Sequence, residues 1–142
     1  MIRKMEARDK EAVLAMMRIF YASDAVLTNG SEEIFQKDIE NCVGENPYVE
    51  GYIMEEGEAM QGYAMIAKSY STEFGKPCIW IEDIYIKEAY RGKGIGSRFL
   101  SYITQKYPDA IYRLEVEAEN QQAIGVYEKS GFRVLPYMEM KK

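Results

Sequence analysis

The stretch YIKEAYRGKGIGSRFLSYI, residues 85–103, decides how this chain is read. An apolar run leads into Gly92, Gly94 and Gly96, and an amphipathic segment follows them. Side chains are missing where a strand passes into a helix, so either the turn is tight or something approaches the backbone closely. Two familiar glycine loops do not fit. An ATPase-type phosphate loop needs G-x-x-x-x-G-K-[ST] and a dinucleotide fingerprint needs G-x-G-x-x-G, whereas the spacing here is G-x-G-x-G. A helix start nonetheless offers amides with no internal acceptor, at the positive end of the helix dipole. With no side chains above them, an anion can rest there. Arg91 and Lys93 make this the most anion-friendly spot of the chain, and a phosphate or pyrophosphate suits it. A plain strand-to-helix turn without a ligand is the competing reading.

The strand before the loop carries a second signal. In IWIEDIYI the β-branched residues sit at odd positions, Ile79 and Ile81, and then at even ones, Ile84 and Ile86. Strict alternation keeps one parity, and one extra residue flips it. A β-bulge at Glu82-Asp83 would do this. A strand buried on both faces is the alternative, with no flip to explain. Either way, two carboxylates interrupt an apolar strand beside the anion site. Burial raises a carboxylate's pKa and suits it to proton transfer; a solvated pair at a sheet edge is the plainer reading.

Composition narrows the chemistry. The 142 residues are 47% hydrophobic and 29% charged, as expected of one packed domain spanning 1–142. The net charge of −5 argues against a nucleic-acid partner, which needs clustered Lys and Arg. There is no histidine, which excludes a histidine base, a Ser-His-Asp triad and histidine metal ligands. Cys42 and Cys78 lack C-x-x-C spacing and read as reduced thiols. No metal is expected. No apolar run is long enough to span a bilayer and the N-terminus has no apolar signal core, so no membrane partner and a cytoplasmic location are expected.

Along the chain, MIRKM opens as a short strand. ARDKEAVLAMMRIFYAS is a helix with Val13, Met16, Met17 and Phe20 on its apolar side. SEEIFQKDIENCV is a second helix, capped by Ser31, with Ile34, Ile39 and Val43 apolar. Two β-rich runs around Gly57-Glu58 predict a hairpin. A third run follows, then the glycine loop and a helix near 95–107 with Ile95, Phe99 and Ile103 in one stripe, closed by Pro108. AIYRLEVEA is a strand. NQQAIGVYEKSG is a short helix capped by Asn120, which turns Tyr127 inward, and FRVLPYMEMK ends as one or two strands. The order predicts an α/β fold with a mixed, mostly antiparallel sheet of six to seven strands. It includes a β-α-β crossover at the glycine loop and about four helices.

Together these residues resemble the GNAT superfamily of N-acetyltransferases. RGKGIG at 91–96 fits its R/Q-x-x-G-x-G/A signature, and EVEAENQQAIGVYEKSGF at 115–132 resembles its second, in which an Asn opens a helix carrying a Tyr before Gly-Phe. The ED…YRGxGIGS string is similar to that of the polyamine acetyltransferase branch, although most of it overlaps the cofactor motif. The resemblance implies that acetyl-CoA is the cosubstrate. Its pyrophosphate would be held by the amides from Arg91 through Ser97, including Gly92, Lys93, Gly94 and Gly96. Its pantetheine arm would run along Ile84, Tyr85 and Ile86, where strands 79–87 and 111–117 splay apart, and Asn120 would contact it. It implies direct attack of an amine on the thioester, with Glu82 drawing off the amine's proton, directly or through water, and Tyr127 protonating the departing thiolate. Tyr21, Asp24 and Asp83 are the candidate acceptor contacts, with Asp83 suited to hold a cation. The acceptor class stays open between small amine or polyamine, amino acid and protein amine, as does monomer against homodimer. A non-catalytic CoA-binding sensor or regulatory module is the alternative.

Overall fold

The computed structural model describes residues 1–142. In chain order the elements are β1 (Ile2–Lys4), α1 (Lys10–Tyr21), α2 (Glu32–Val43), β2 (Val49–Glu56), β3 (Ala59–Ser71), β4 (Lys76–Ile86), α3 (Ile95–Lys106), β5 (Ile111–Leu114) and α4 (Gln121–Lys129). The strands form one sheet in the order β1-β2-β3-β4-β5. The first three pairings are antiparallel and β4–β5 is parallel, joined by the crossover through α3.

Local chemistry sets the helix starts. The Ser31 hydroxyl accepts the Ile34 amide at 3.2 Å, and the Asn120 side chain accepts the Ala123 amide at 3.3 Å. Apolar spacing then decides which face is buried. Val13, Met16 and Met17 of α1 pack with Phe35, Ile39 and Cys42 of α2 on one face of the sheet, around Tyr63, Met65 and Tyr85. On the other face Ile95, Phe99, Leu100 and Ile103 of α3 cover Tyr52, Ile66, Ile79 and Ile81. Each such side chain, once buried, contributes roughly 1.5–3 kcal/mol. The buried stripe of α2 runs through Phe35 rather than Ile34, which is 51% exposed.

The bulge in β4 is present. Met65 pairs with Asp83 while its neighbour Ile66 pairs with Ile81, so Glu82 is the extra residue. Ile79 and Ile81 before it, and Ile84 and Ile86 after it, all pack on the α3 side. One inserted residue has flipped the parity.

The sheet has five strands, not the six to seven expected. β5 stops at Leu114 instead of running on toward residue 118, and no strand forms after α4. A β-prone segment becomes a strand only when a neighbour takes up its backbone groups. Residues 132–142 have no such neighbour, Pro136 has no amide to offer, and Val134 and Met138 are almost fully exposed. No helix is long and apolar enough to cross a membrane.

Candidate active site

The parallel pairing of β4 with β5 ends at Ile81–Leu114, immediately before the bulge, while β4 continues to Ile86. Past that point one edge of β4 stays bonded to β3 and the other opens into a cleft. The cleft measures about 900 Å³. Its walls are Ile84–Ile86, the glycine loop, the first turns of α4, and the segment after α1 from Ser23 to Leu27.

The glycine loop forms the cradle that its sequence suggests. A short turn over Glu88–Tyr90 brings the chain round, with the Arg91 amide donating to the Glu88 carbonyl at 3.2 Å. The next amide with an acceptor in the chain is that of Arg98, which donates to the Gly94 carbonyl at 3.0 Å. The six amides from Gly92 to Ser97 between them have none. Gly92 and Gly94 have φ of 76° and 77°, the left-handed region in which side chains are strained. A Cβ on Gly92 would meet nothing within 4 Å, so the space above it is free. Such a row of inward amides makes an anion-binding concavity. A bound anion would be flanked by the positive charges of Arg91, Lys93 and Arg98. Arg91 is anchored by its Nε, which donates to the Ile86 carbonyl at 2.8 Å, with its guanidinium 5.5 Å from the Tyr85 ring centre. The Lys93 ammonium lies 5.7 Å from the Tyr90 ring centre. Arg98, which holds the Lys93 carbonyl at 3.1 Å, was not singled out from sequence because it looks like an ordinary helix surface residue.

Ile84, Tyr85, Ile86, Arg91, Gly92, Gly94, Gly96, Ser97 and Asn120 all line the cleft, as does Asp24; Lys93 stands just outside its wall. Tyr127 lines it too, packed edge-on against Phe132. Burial pushes the Tyr127 phenol up to about 12, so it stays protonated through the neutral range. Burial is the only cause of that shift, with no side-chain hydrogen bond contributing.

Glu82, Asp83 and Tyr21 form a second group on the α1–α2 side of the bulge. Asp83 is 4% exposed and accepts the Tyr21 hydroxyl on Oδ1 and the Tyr63 hydroxyl on Oδ2, both at 2.8 Å. Burial pushes its carboxyl up, the two phenols pull it back, and it settles at about 6. Glu82 is raised by burial of its surroundings and by the charges of Asp83 and Glu139. Asp38 of α2 is raised by burial and then by Glu82. None of these three carboxylates has a lysine or arginine within ion-pair distance. Tyr63 and Asp38 escaped the sequence reading. Tyr63 sits in an ordinary apolar strand, Asp38 on the polar side of a helix, and only the folded sheet shows what they face.

The family model for the GNAT acetyltransferases matches residues 13–132. This chain belongs to the GNAT family of acetyltransferases. Thialysine N-epsilon-acetyltransferase of Sus scrofa is 32% identical to it, over 98% of this chain and 87% of that protein. Spermidine/spermine N(1)-acetyltransferase-like protein 1 of Homo sapiens is 30% identical over 73% of this chain and 16% of that protein. Among solved structures, an acetyltransferase of Clostridium acetobutylicum determined with acetyl-CoA superposes with a TM-score of 0.79 at 19% identity, covering 99% of this chain and 95% of that one, which shows a common fold. The chain is thus an acetyl-CoA-dependent N-acetyltransferase, and its cleft suits the cosubstrate. Six amides of the glycine loop have no acceptor in the chain, as an anion site requires, and the opened edge of β4 offers backbone groups to an extended arm.

Proposed function

We propose that this GNAT enzyme acetylates a primary amine on a small acceptor that carries more than one positive charge, of the thialysine or polyamine kind. The observation that carries this reading is the meeting of Asp38, Glu82 and Asp83 with no cationic side chain to neutralise them. Uncompensated carboxylates raise one another's pKa and are stabilised by a cation from outside. The amine that reacts must first become neutral, so a second charge on the acceptor is what such a cluster would retain. The names of the relatives point the same way, toward substrates with several amines.

Acetyl-CoA supplies an activated thioester carbonyl with a thiolate leaving group. The amides of Gly92 to Ser97, with Arg91 and Lys93 beside them, hold the pyrophosphate. Ile84, Tyr85 and Ile86 present strand backbone to the pantetheine, and the amide near Ile84 meets the charge that develops on the carbonyl oxygen. Asn120 caps α4 and so fixes the wall that carries Tyr127. Glu82 takes the proton from the acceptor ammonium, directly or through a water, because an amine of lysine type is mostly protonated at neutral pH. Tyr127 gives its proton to the departing sulfur. Tyr21 and Asp24 face the acceptor, and Asp83 adds its charge from behind Tyr21.

A thiol-release assay with thialysine, spermidine and a simple monoamine tests the acceptor class. The expected result is a kcat/KM for the multiply charged amines about tenfold or more above the monoamine, as for one additional charged contact. Equal efficiency on the monoamine would remove the role assigned to the acidic group.

A further inference from the structure

The active-site region holds two phenols in opposite hydrogen-bonding states. Tyr127 lines the cleft, and no side-chain hydrogen bond contributes to the shift of its phenol. The Tyr21 proton is spent, because its hydroxyl donates to Asp83 Oδ1 at 2.8 Å. A hydroxyl has a single hydrogen, so Tyr21 keeps only its oxygen lone pairs for a further partner. That makes Tyr21 an acceptor group, suited to an N–H, and Tyr127 a donor group, suited to a leaving thiolate.

We infer that the Tyr21 oxygen holds the N–H of the acceptor amine, and that Asp83 and Tyr63 are positioning residues that act through it. This rests on the acceptor reading above. Tyr21 is the half-buried last residue of α1; it is not itself in the cleft wall, but it lies between Phe20 and the Ser23–Leu27 segment, which are. Its ring is wedged edge-on to Phe20 at 5.2 Å and against Phe35 at 5.1 Å, which fixes the phenol's direction. Asp83 is 4% exposed and each of its oxygens already accepts a phenol, so its influence on a substrate passes through Tyr21. What it controls is where the Tyr21 hydrogen points.

Tyr63 completes the device from β3. It has no exposure, and its hydroxyl holds the second carboxylate oxygen. With both oxygens engaged, the carboxylate cannot rotate without breaking a buried hydrogen bond. The groups facing Asp83 are Tyr21 from α1, Asp38 and Cys42 from α2, Tyr63 from β3 and Glu82 beside it in β4; none is a cation. Its ionised form therefore depends on the two phenols. When Asp83 is protonated it can donate, and the hydrogen of Tyr21 is no longer tied to it. Binding of the amine is then expected to weaken on the acid side.

The test uses the whole enzyme with thialysine as the acceptor probe, following thiol release across the acid range for wild type, Tyr21→Phe, Asp83→Asn and Tyr63→Phe. Tyr21→Phe should raise the thialysine KM about tenfold, the scale of one lost hydrogen bond to a charged group, and leave the acetyl-CoA KM unchanged. Asp83→Asn should do the same, and the double variant should be no worse than Tyr21→Phe alone. Tyr63→Phe removes one donor to the carboxylate, so the acid limb of kcat/KM for thialysine should move up by about one pH unit. An unchanged thialysine KM in Tyr21→Phe, multiplying losses in the double variant, or an unmoved acid limb in a folded Tyr63→Phe would each overturn the inference. If wild type acetylates neither thialysine nor spermidine, the acceptor reading falls by itself. Carboxyl ¹³C NMR then decides the positioning chain. The Asp83 titration must rise in both Tyr21→Phe and Tyr63→Phe, and a titration that stays put in Tyr21→Phe, the more exposed of the two sites, overturns it.

Discussion

A Cβ placed on Gly96 would lie 3.9 Å from Cδ1 of Ile84, an ordinary contact distance. Nothing in the protein therefore demands a glycine there, and its φ is not in the left-handed region. The demand comes from the ligand side of the loop, where the Gly96 amide belongs to the unpaired row. Gly96→Ala should stabilise the first turn of α3 by roughly 0.5–1 kcal/mol. The same change adds a methyl group on the side proposed for the pyrophosphate and should weaken CoA binding about tenfold or more, as pushing the ligand off one charge-assisted hydrogen bond would. A thermal melt that rises while the CoA titration weakens is the expected pair of results. CoA affinity equal to wild type would mean that the ligand does not rest against this position.

In the proposed mechanism Tyr127 protonates the leaving group; it lines the cleft, and burial pushes its phenol up to about 12. Tyr127→Phe removes the hydroxyl and retains the ring contact with Phe132. Turnover should fall about a hundredfold, within the range for a general acid, with acetyl-CoA affinity nearly intact. Single-turnover kinetics beside a direct CoA titration separate the two quantities. Undiminished turnover would leave the thiolate to be protonated by solvent.

In the proposed mechanism Glu82 takes the amine's proton; the residue is exposed at the bulge, and its carboxyl is raised by the desolvating surroundings, Asp83 and Glu139. Its ionised form should govern the acid limb of kcat, with the acceptor already bound. Glu82→Gln should lower kcat and require more alkaline solution to recover it, since only amine already neutral can then react. A profile that keeps the wild-type shape would move the base elsewhere.

Two buried carboxylates should pull stability in opposite directions with pH. Asp83 titrates at about 6 in the fold against 3.8 when free, so the fold binds its proton more tightly than the unfolded chain does. Its ionisation lowers stability as pH rises from the free value to the folded one, by on the order of 2–3 kcal/mol in full. Glu50 is the reverse case. Burial alone would push it up, but the hydroxyls of Tyr107 and Tyr52 and the Lys4 ammonium together hold it at about 2. Its contribution is present above the free value of 4.5 and lost as pH falls through about 2. Denaturant melts of Asp83→Asn should show a gain above about pH 6 and none in acid. Those of Glu50→Gln should show a loss at neutral pH that shrinks toward the acid end. A gain for Asp83→Asn that is constant with pH would mean that charge is not its cause.

How much could be read before folding differed from residue to residue, for a physical reason. Gly92, Gly94 and Gly96, the Asn120 and Ser31 caps and the flip between Ile81 and Ile84 all answer local requirements. An amide without an acceptor, a helix start and one extra strand residue leave their marks within a few positions of themselves, so the free-amide loop, the helix caps and the bulge were legible in the chain. The acceptor half was not. Tyr21 meets Asp83 across 62 residues and Tyr63 meets it across 20. Asp38 reaches the same place from a third element. Each looks ordinary in its own segment, and Asp83, read as a candidate cation contact, accepts one phenol on each oxygen. The residues after α4 carry strand propensity without a strand, because propensity supplies no hydrogen-bond partner. Sequence alone determined which backbone must be bare and where the sheet must kink, since those are needs of the chain with itself over short distances. Which side chains share a buried carboxylate was decided only by tertiary structure, because that depends on strand register and on where α1 and α2 dock against the bulged strand.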